Sequence, residues 1–257
     1  MSLLPRIIPS LLINENKLIK TYQFNDYKYI GDPLNAVKIF NEKQVDELIV
    51  IDKTDTSKQK GPNYDMIKKI SSENFVPLCY GGGIRTIDEA YKVFSSGVEK
   101  ISIQKIVFEN FKNLEKLALD FGSSSVVFSL DIICSNGNYY IFDYLNKKKL
   151  KLSIKDCINK TIDHGVGEII LNIVNLDGTL KGPDKNIFNI LPEINIPLIY
   201  QGGINSTQDI ISILKLGFQG VAVGAYFVFY GNYNSVLISY LNDDERKLIN
   251  KIYNNYV

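Results

Sequence analysis

The feature that most constrains this chain is a passage that returns after nearly half its length. Tyr80-Gly81-Gly82-Gly83-Ile84 is echoed by Gln201-Gly202-Gly203-Ile204, and its surroundings return with it. Gly83 and Gly203, Thr86 and Ser206, Gly97 and Gly217, and the pairs Ile101/Ile103 and Val221/Val223 are each 120 residues apart. Solenoid repeats run at about 20 to 50 residues. A period this long in 257 residues argues instead for two similar halves, about 1–122 and 123–257, each with the same glycine-rich turn. One repeated unit in a chain that is 45% hydrophobic favours a single domain over 1–257.

Short apolar runs rich in β-branched residues recur at 6–13, 47–52, 76–80, 100–104, 126–133, 168–173, 196–200 and 220–224. They are nearly continuous rather than alternating, which is the habit of parallel strands buried on both faces. Helical spacing fills the intervals 33–43, 64–73, 86–95, 113–121, 153–164, 185–191, 206–216 and 235–253. Asp32-Pro33 and Ser206 are helix starts, and Gly97, Gly122, Gly165 and Gly217 are stops. Eight strands alternating with eight helices predict a TIM (β/α)₈ barrel built from two half-barrels. A doubly wound sheet would want G-x-G-x-x-G after its first strand, whereas 11–16 reads Leu-Leu-Ile-Asn-Glu-Asn. The long connections 14–32 and 135–152 then lie at the C-terminal face, and Asn136-Gly137 predicts a small hairpin in the second.

Lys plus Arg number 29 against 28 Asp plus Glu, a net charge of +1 that gives no reason to expect nucleic acid or an anionic membrane as partner. Three scattered cysteines form neither a disulfide framework nor a metal-ligand spacing, and point to a reducing cytoplasm. No apolar stretch reaches the roughly 20 residues of a membrane helix. The apolar start is interrupted by Pro5, Arg6 and Pro9, so a cleaved leader is not expected. One histidine leaves Ser-His-Asp triads and histidine-based metal sites close to excluded. No metal and no cofactor are expected, and chemistry must run on carboxylates, lysines or backbone.

Backbone N–H groups freed by glycine just before a helix make an anion site without a basic side chain. The second half offers Asp177-Gly178-Thr179, Gly202-Gly203 and Gly224-Ala225, matching the common barrel phosphate site at strands seven and eight. The first-half counterparts are Gly82-Gly83 and Gln104-Lys105. A glycine pair also serves simply to turn the chain. Two copies in register on the catalytic face favour phosphate, and a substrate with an anion at each end.

The ordered set Arg6-Ile7-Ile8, Gly31-Asp32-Pro33, Asp46-Glu47-Leu48, Gly81-Gly82-Gly83-Ile84, Glu99-Lys100-Ile101-Ser102-Ile103, Gly167-Glu168-Ile169, Asp177-Gly178-Thr179 and Gly202-Gly203 spans essentially the whole chain. It resembles the HisF family, the cyclase subunit of imidazole glycerol phosphate synthase, itself a two-fold repeated barrel. The resemblance implies a HisH-type glutaminase docked at the barrel bottom as a heterodimer, ammonia passed through the barrel, and a phosphate-bearing small-molecule substrate. It implies Asp131 at the end of strand five as a catalytic acid/base, and Lys20 on the loop after strand one as a functional lysine. Arg6, Glu47, Lys100 and Glu168 correspond to the salt-bridged ring that gates ammonia, and Glu99 to an acidic position at the glutaminase interface. A ring of two cations and two anions also reads as purely structural, and Lys20 as a solvated loop lysine.

The departures carry as much information. Laying Ser10-Leu11-Leu12-Ile13 on Ser129-Leu130-Asp131-Ile132 puts Leu12 where the family has its second catalytic aspartate. Loss of one member of an acid/base pair costs on the order of 10²- to 10⁴-fold in rate. Gln104-Lys105 stands where the family has Asn-Thr. Asp52 and Asp177 read either as groups that position substrate at the face, Asp177 being the stronger catalytic candidate, or as cap and turn residues.

The expected function is a HisF-like paralogue that takes ammonia from a glutaminase and delivers it to a phosphate-bearing or nucleotide-activated acceptor. Such paralogues occur in amidination of bacterial surface sugars, with a separate ATP-using amidotransferase as a further partner. The rival readings are a genuine cyclase of histidine biosynthesis and a non-catalytic barrel that activates a glutaminase.

Overall fold

Strands that are apolar on both faces need one covering inside and another outside, and a barrel sheathed in helices supplies both. A computed structural model describes residues 4–54 and 61–255. Its barrel strands are β1 (Arg6–Asn14), β2 (Leu48–Asp52), β3 (Leu78–Gly81), β4 (Lys100–Ile103), β5 (Val126–Ser135), β6 (Glu168–Ile173), β7 (Leu198–Gln201) and β8 (Gly220–Val223). Each pairs in parallel with the next, and β8 pairs with β1 through Arg6 opposite Gly220, so the sheet closes. The expected (β/α)₈ barrel is the observed fold.

Around it run α1 (Pro33–Glu42), α2 (Tyr64–Glu73), α3 (Ile87–Phe94), α4 (Lys105–Glu109), α5 (Lys112–Phe121), α6 (Ile154–Asp163), α7 (Thr207–Leu214) and α8 (Asp243–Tyr253). Their starts are chemical. Asp32 accepts from the Asn35 N–H ahead of Pro33, and Thr86 with Glu89 and Asn242 with Glu245 form reciprocal capping boxes. One core lies between strands and helices. A second, smaller one fills the barrel with Ile8, Ile49, Cys79, Val127, Ile170, Ile199 and Ala222. This inner layer separates a charged floor from a polar mouth.

Two helical expectations need correction. Residues 185–191 make only a 3-10 turn, Asn186–Ile190, which Pro192 keeps from continuing. Residues 235–242 are not helical: Ser235–Val236 pairs with Phe229–Tyr230, and the Leu237 and Ser239 N–H groups donate to the carbonyls of Val228 and Phe227. Backbone partners outside the segment outweigh its apolar spacing, and α8 waits for the Asn242 cap. Both long mouth loops fold as antiparallel hairpins. Lys17–Thr21 pairs with Tyr27–Gly31, and β5 pairs with Asn138–Asp143 across Asn136-Gly137, both at positive φ as the expected turn requires. No helix among the described residues is long and apolar enough to cross a membrane.

Candidate functional site

Strand register decides which side chains share a height in the barrel. In the second half it aligns Asp131 of β5 with Asn172 of β6 and Asn172 with Gln201 of β7. In the first half the same register aligns Leu12 with Ile51 and Ile51 with Gly81. All six lie at or beside the mouth, and five of them line its main cavity of about 400 Å³. Only one half of this row is polar.

Asp131 accepts from Asn172 Nδ2 at 2.9 Å and from Gln104 Nε2 at 3.2 Å. Burial pushes its carboxyl up, the two hydrogen bonds pull it back, the charge of Asp177 adds to the rise, and the result is about 7. A carboxyl poised there can both give and take a proton near neutral pH. Its partner Asn172 is buried, and Asn172 Oδ1 has no hydrogen-bond partner among the described residues.

The hairpin after β1 carries Lys20 back over the barrel. Its ammonium lies 2.7 Å from Asp177 Oδ1, while the Thr21 hydroxyl donates to Asp177 Oδ2 at 2.7 Å, and all three residues are buried. Lys20 also stands beside the second-half turn, where a Cβ added to Gly224 would come 3.0 Å from its Nζ. Gly178, Gly202, Gly203, Gly224 and Ala225 ring a recess of about 20 Å³ with Lys20 and Asp177 on its inner side. The residues read from the sequence as one anion site do converge, with a buried cation added.

The first-half set is more dispersed in its bonding. Gly82, Gly83, Gln104 and Lys105 all line the main cavity. The Gln104 side chain, however, is turned to Asp131, and Lys105 Nζ lies 3.7 Å from Glu109 on the same short helix. Asp52 Oδ1 accepts from the Thr54 N–H, as a turn residue does.

Beneath the inner apolar layer the four floor charges form a closed ring. Arg6 lies 2.6 Å from both Glu47 and Glu168, and Lys100 lies 2.9 Å and 3.2 Å from the same two carboxylates. Burial disfavours the Arg6 cation, but the charges and hydrogen bonds of Glu168 and Glu47 outweigh burial and hold it above its ordinary value. Glu168 Oε1 is buried without a partner among the described residues. Glu99 is exposed nearby and accepts from the Leu78 N–H at 2.9 Å. No group of three or more His, Cys, Asp or Glu among the described residues is placed to hold a metal ion.

Residues 6–234 match the family described as histidine biosynthesis protein. The chain belongs to that family. A Leptospira borgpetersenii protein named provisionally as imidazole glycerol phosphate synthase subunit HisF is 42% identical over 249 residues, 95% of this chain and 98% of its own length. A Pseudomonas aeruginosa protein with the same provisional name, numbered hisF2, is 41% identical over 240 residues, 91% of this chain and 95% of its own. The imidazole glycerol phosphate synthase subunit HisF of Alkaliphilus metalliredigens, named without that reservation, is 32% identical over 227 residues, 88% and 90% of the two chains. The chain is therefore a HisF-like homologue of imidazole glycerol phosphate synthase subunits. Within this HisF-like site, sequence reasoning missed Asn172, Gln201 and Ile51. The repeat that exposed Leu12 held the signal for them too, in the next two strands of each half.

Proposed function

We propose that this HisF-like subunit receives ammonia from a HisH-type glutaminase at its floor and delivers it at the mouth to a phosphate-bearing or nucleotide-activated acceptor, in the amidination of a bacterial surface sugar. The observation that carries this reading is Leu12 lining the cavity at the height of Asp131, which leaves the row with one carboxylate. The floor ring supports ammonia entry, because four charges held by each other form a plug that a docking partner can rearrange. The recess around Gly178, Gly202 and Gly224 with Lys20 beside it supports a single phosphate. Asp131 is then the remaining acid/base, and Glu99 lies on the glutaminase face. Asp177 is poorly free to replace the missing acid, since Lys20 and Thr21 hold both of its oxygens. That weakens the reading of an ordinary cyclase. It also fits the provisional or numbered names borne by the Leptospira and Pseudomonas relatives.

The test is turnover of the purified barrel with its cognate glutaminase, glutamine and the ribulosyl cyclase substrate. Glutamine hydrolysis should proceed, and imidazole product should form about 10²-fold or more below the rate of a subunit with both acids. Product at the rate of such a two-acid subunit would make this chain a histidine-pathway cyclase.

A further inference from the structure

The floor ring depends on where β1 places Arg6, and β1 begins lower in the barrel than its ladder with β2. That ladder starts at Ser10 opposite Ile49. The Arg6 N–H donates to the Gln219 carbonyl on the β8 side at 3.1 Å, and alternate residues of a parallel strand turn their bonding groups to opposite neighbours. Ile7 therefore offers its N–H and C=O towards β2 below the start of that ladder. Such groups must find partners, and here side chains supply both. Asp46 Oδ2 accepts from the Ile7 N–H at 2.8 Å, and the Tyr240 hydroxyl donates to the Ile7 carbonyl at 2.7 Å. Arg246 of α8 links the two, with its guanidinium 3.4 Å from Asp46 Oδ1 and 5.9 Å from the Tyr240 ring centroid. Burial and the charge of Asp46 push the Tyr240 phenol up, so it remains a donor near neutral pH.

We infer that Tyr240, Asp46 and Arg246 are positioning residues for the floor ring, a clamp on Ile7 that fixes Arg6 between Glu47 and Glu168 and keeps the floor of the barrel shut. This rests on the proposed reading of the ring as the entry for ammonia and adds the element that sets it. Two neighbours on one segment hold two neighbours on the other. Asp46 takes the Ile7 N–H, and Glu47 takes the Arg6 guanidinium. Side chains alternate along β1, so Ile7 packs in the outer core while Ile8 joins the inner layer. Arg6 meets each carboxylate through a single nitrogen, Nη1 to Glu47 and Nη2 to Glu168, both at 2.6 Å. A slip of β1 by about 1 Å carries both contacts beyond hydrogen-bond range. The clamp is drawn from the far end of the chain, so a closed floor requires the segment leading into α8 to be docked.

Cys79 supplies the readout. It belongs to the inner layer, stands opposite Lys100 in register and is 1% exposed, whereas Cys157 of α6 is buried in the outer core. The test is labelling of the full-length folded chain by methyl methanethiosulfonate, followed thiol by thiol through peptide mass mapping, in wild type, Arg6→Ala, Tyr240→Phe and Arg246→Ala. Arg6→Ala should speed labelling of Cys79, because it opens the floor ring itself. Tyr240→Phe leaves all four ring charges in place and removes only the bond to Ile7. It should speed Cys79 about fivefold or more, the rise in open population that loss of one hydrogen bond brings. Arg246→Ala should act in the same direction and by less, and Cys157 should keep its wild-type rate in both. Cys79 unchanged in Tyr240→Phe while Arg6→Ala speeds it would overturn the clamp and leave the ring as the barrier. Cys79 unchanged in Arg6→Ala would overturn the ring as the entry, and the inference with it. Equal acceleration of Cys157 would reduce the three residues to general support of the fold and overturn the inference as well. The comparison of Cys79 with Cys157 within Tyr240→Phe, a change of one hydroxyl, does not need the Arg6 variant to fold.

Discussion

At one height in the barrel the two halves carry opposite chemistry on nearly the same backbone. Asp131, Asn172 and Gln201 face Leu12, Ile51 and Gly81 across the mouth. The turns hardly differ: φ is 105° at Gly82 and 126° at Gly202 and 72° at Gly83 and 77° at Gly203 above this row, and 99° at Gly97 and 100° at Gly217 where helices end at the floor side. The backbone therefore repeats where closure of the barrel needs a left-handed turn, and the side chains part where they meet the cavity. Closure constrains the backbone of both halves equally and leaves the side chains that face the cavity free to differ. The second half presents polar side chains and a recess, and the first half presents apolar ones.

The strongest way to probe that difference is to neutralise the one carboxyl in the row. Asp131 stands at about 7 in the folded protein, against about 4 for an ordinary aspartate. The folded state therefore holds its proton more tightly than the unfolded state. Ionising it destabilises the fold progressively from about pH 4 to pH 7 and fully above that, by about 4 kcal/mol at most. Asp131→Asn keeps amide groups that can meet Asn172 and Gln104 and removes the ionisation. It should raise stability in denaturant titrations at pH 8, and by about 2 kcal/mol more there than at pH 5.5. A pH-independent difference would mean that Asp131 is ionised without penalty, and the contrast between the halves would lose its electrostatic part.

How much of this was legible in the sequence follows from the range of each signal. The barrel strands and their order were readable because apolar runs and helix caps are local, and Asn136-Gly137 fixed its hairpin for the same reason. The segment 235–242 was misread because Leu237 and Ser239 take partners at Val228 and Phe227, which spacing cannot show. Convergence of Gly178, Gly202, Gly203 and Gly224 was foreseeable from barrel topology. The Lys20–Asp177 pair joins residues 157 apart, and its contact follows from the hairpin after β1 folding inward. Gln104 was placed by the repeat at the first-half turn. Its side chain instead crosses to Asp131, a choice set by the carboxyl on the neighbouring strand.

A smaller effect should separate the two turns. A Cβ at Gly82 would lie 2.2 Å from the Asp52 carbonyl oxygen and 2.9 Å from the Asp52 amide nitrogen, so the end of β2 would have to move. At Gly202 the nearest atom, the Ile173 carbonyl oxygen, is 2.9 Å away. Both substitutions also place alanine at a φ that favours glycine, a strain of order 1–3 kcal/mol. Gly82→Ala should therefore lower Tm more than Gly202→Ala, by about 2–4 °C for each additional kcal/mol in a chain of this size. If Gly202→Ala proved equally damaging, the closer approach of Gly82 to β2 would not be what sets the cost.

The smallest expected effect belongs to Lys105, and it bears on whether the first half holds an anion at all. Lys105 and Glu109 form an i,i+4 pair at 3.7 Å with side chains 42% and 55% exposed, and the lysine comes first, the weaker order on a helix. Such a pair contributes no more than about 0.5 kcal/mol. Lys105→Ala should shift Tm by less than about 2 °C. The informative reading comes from repeating the melt in inorganic phosphate. With only the second-half recess binding, phosphate should protect wild type and Lys105→Ala equally, because the cation at that recess is Lys20. Protection lost in the variant would place a second phosphate at Lys105, and the two halves would be alike in what they bind despite the contrast between Leu12 and Asp131.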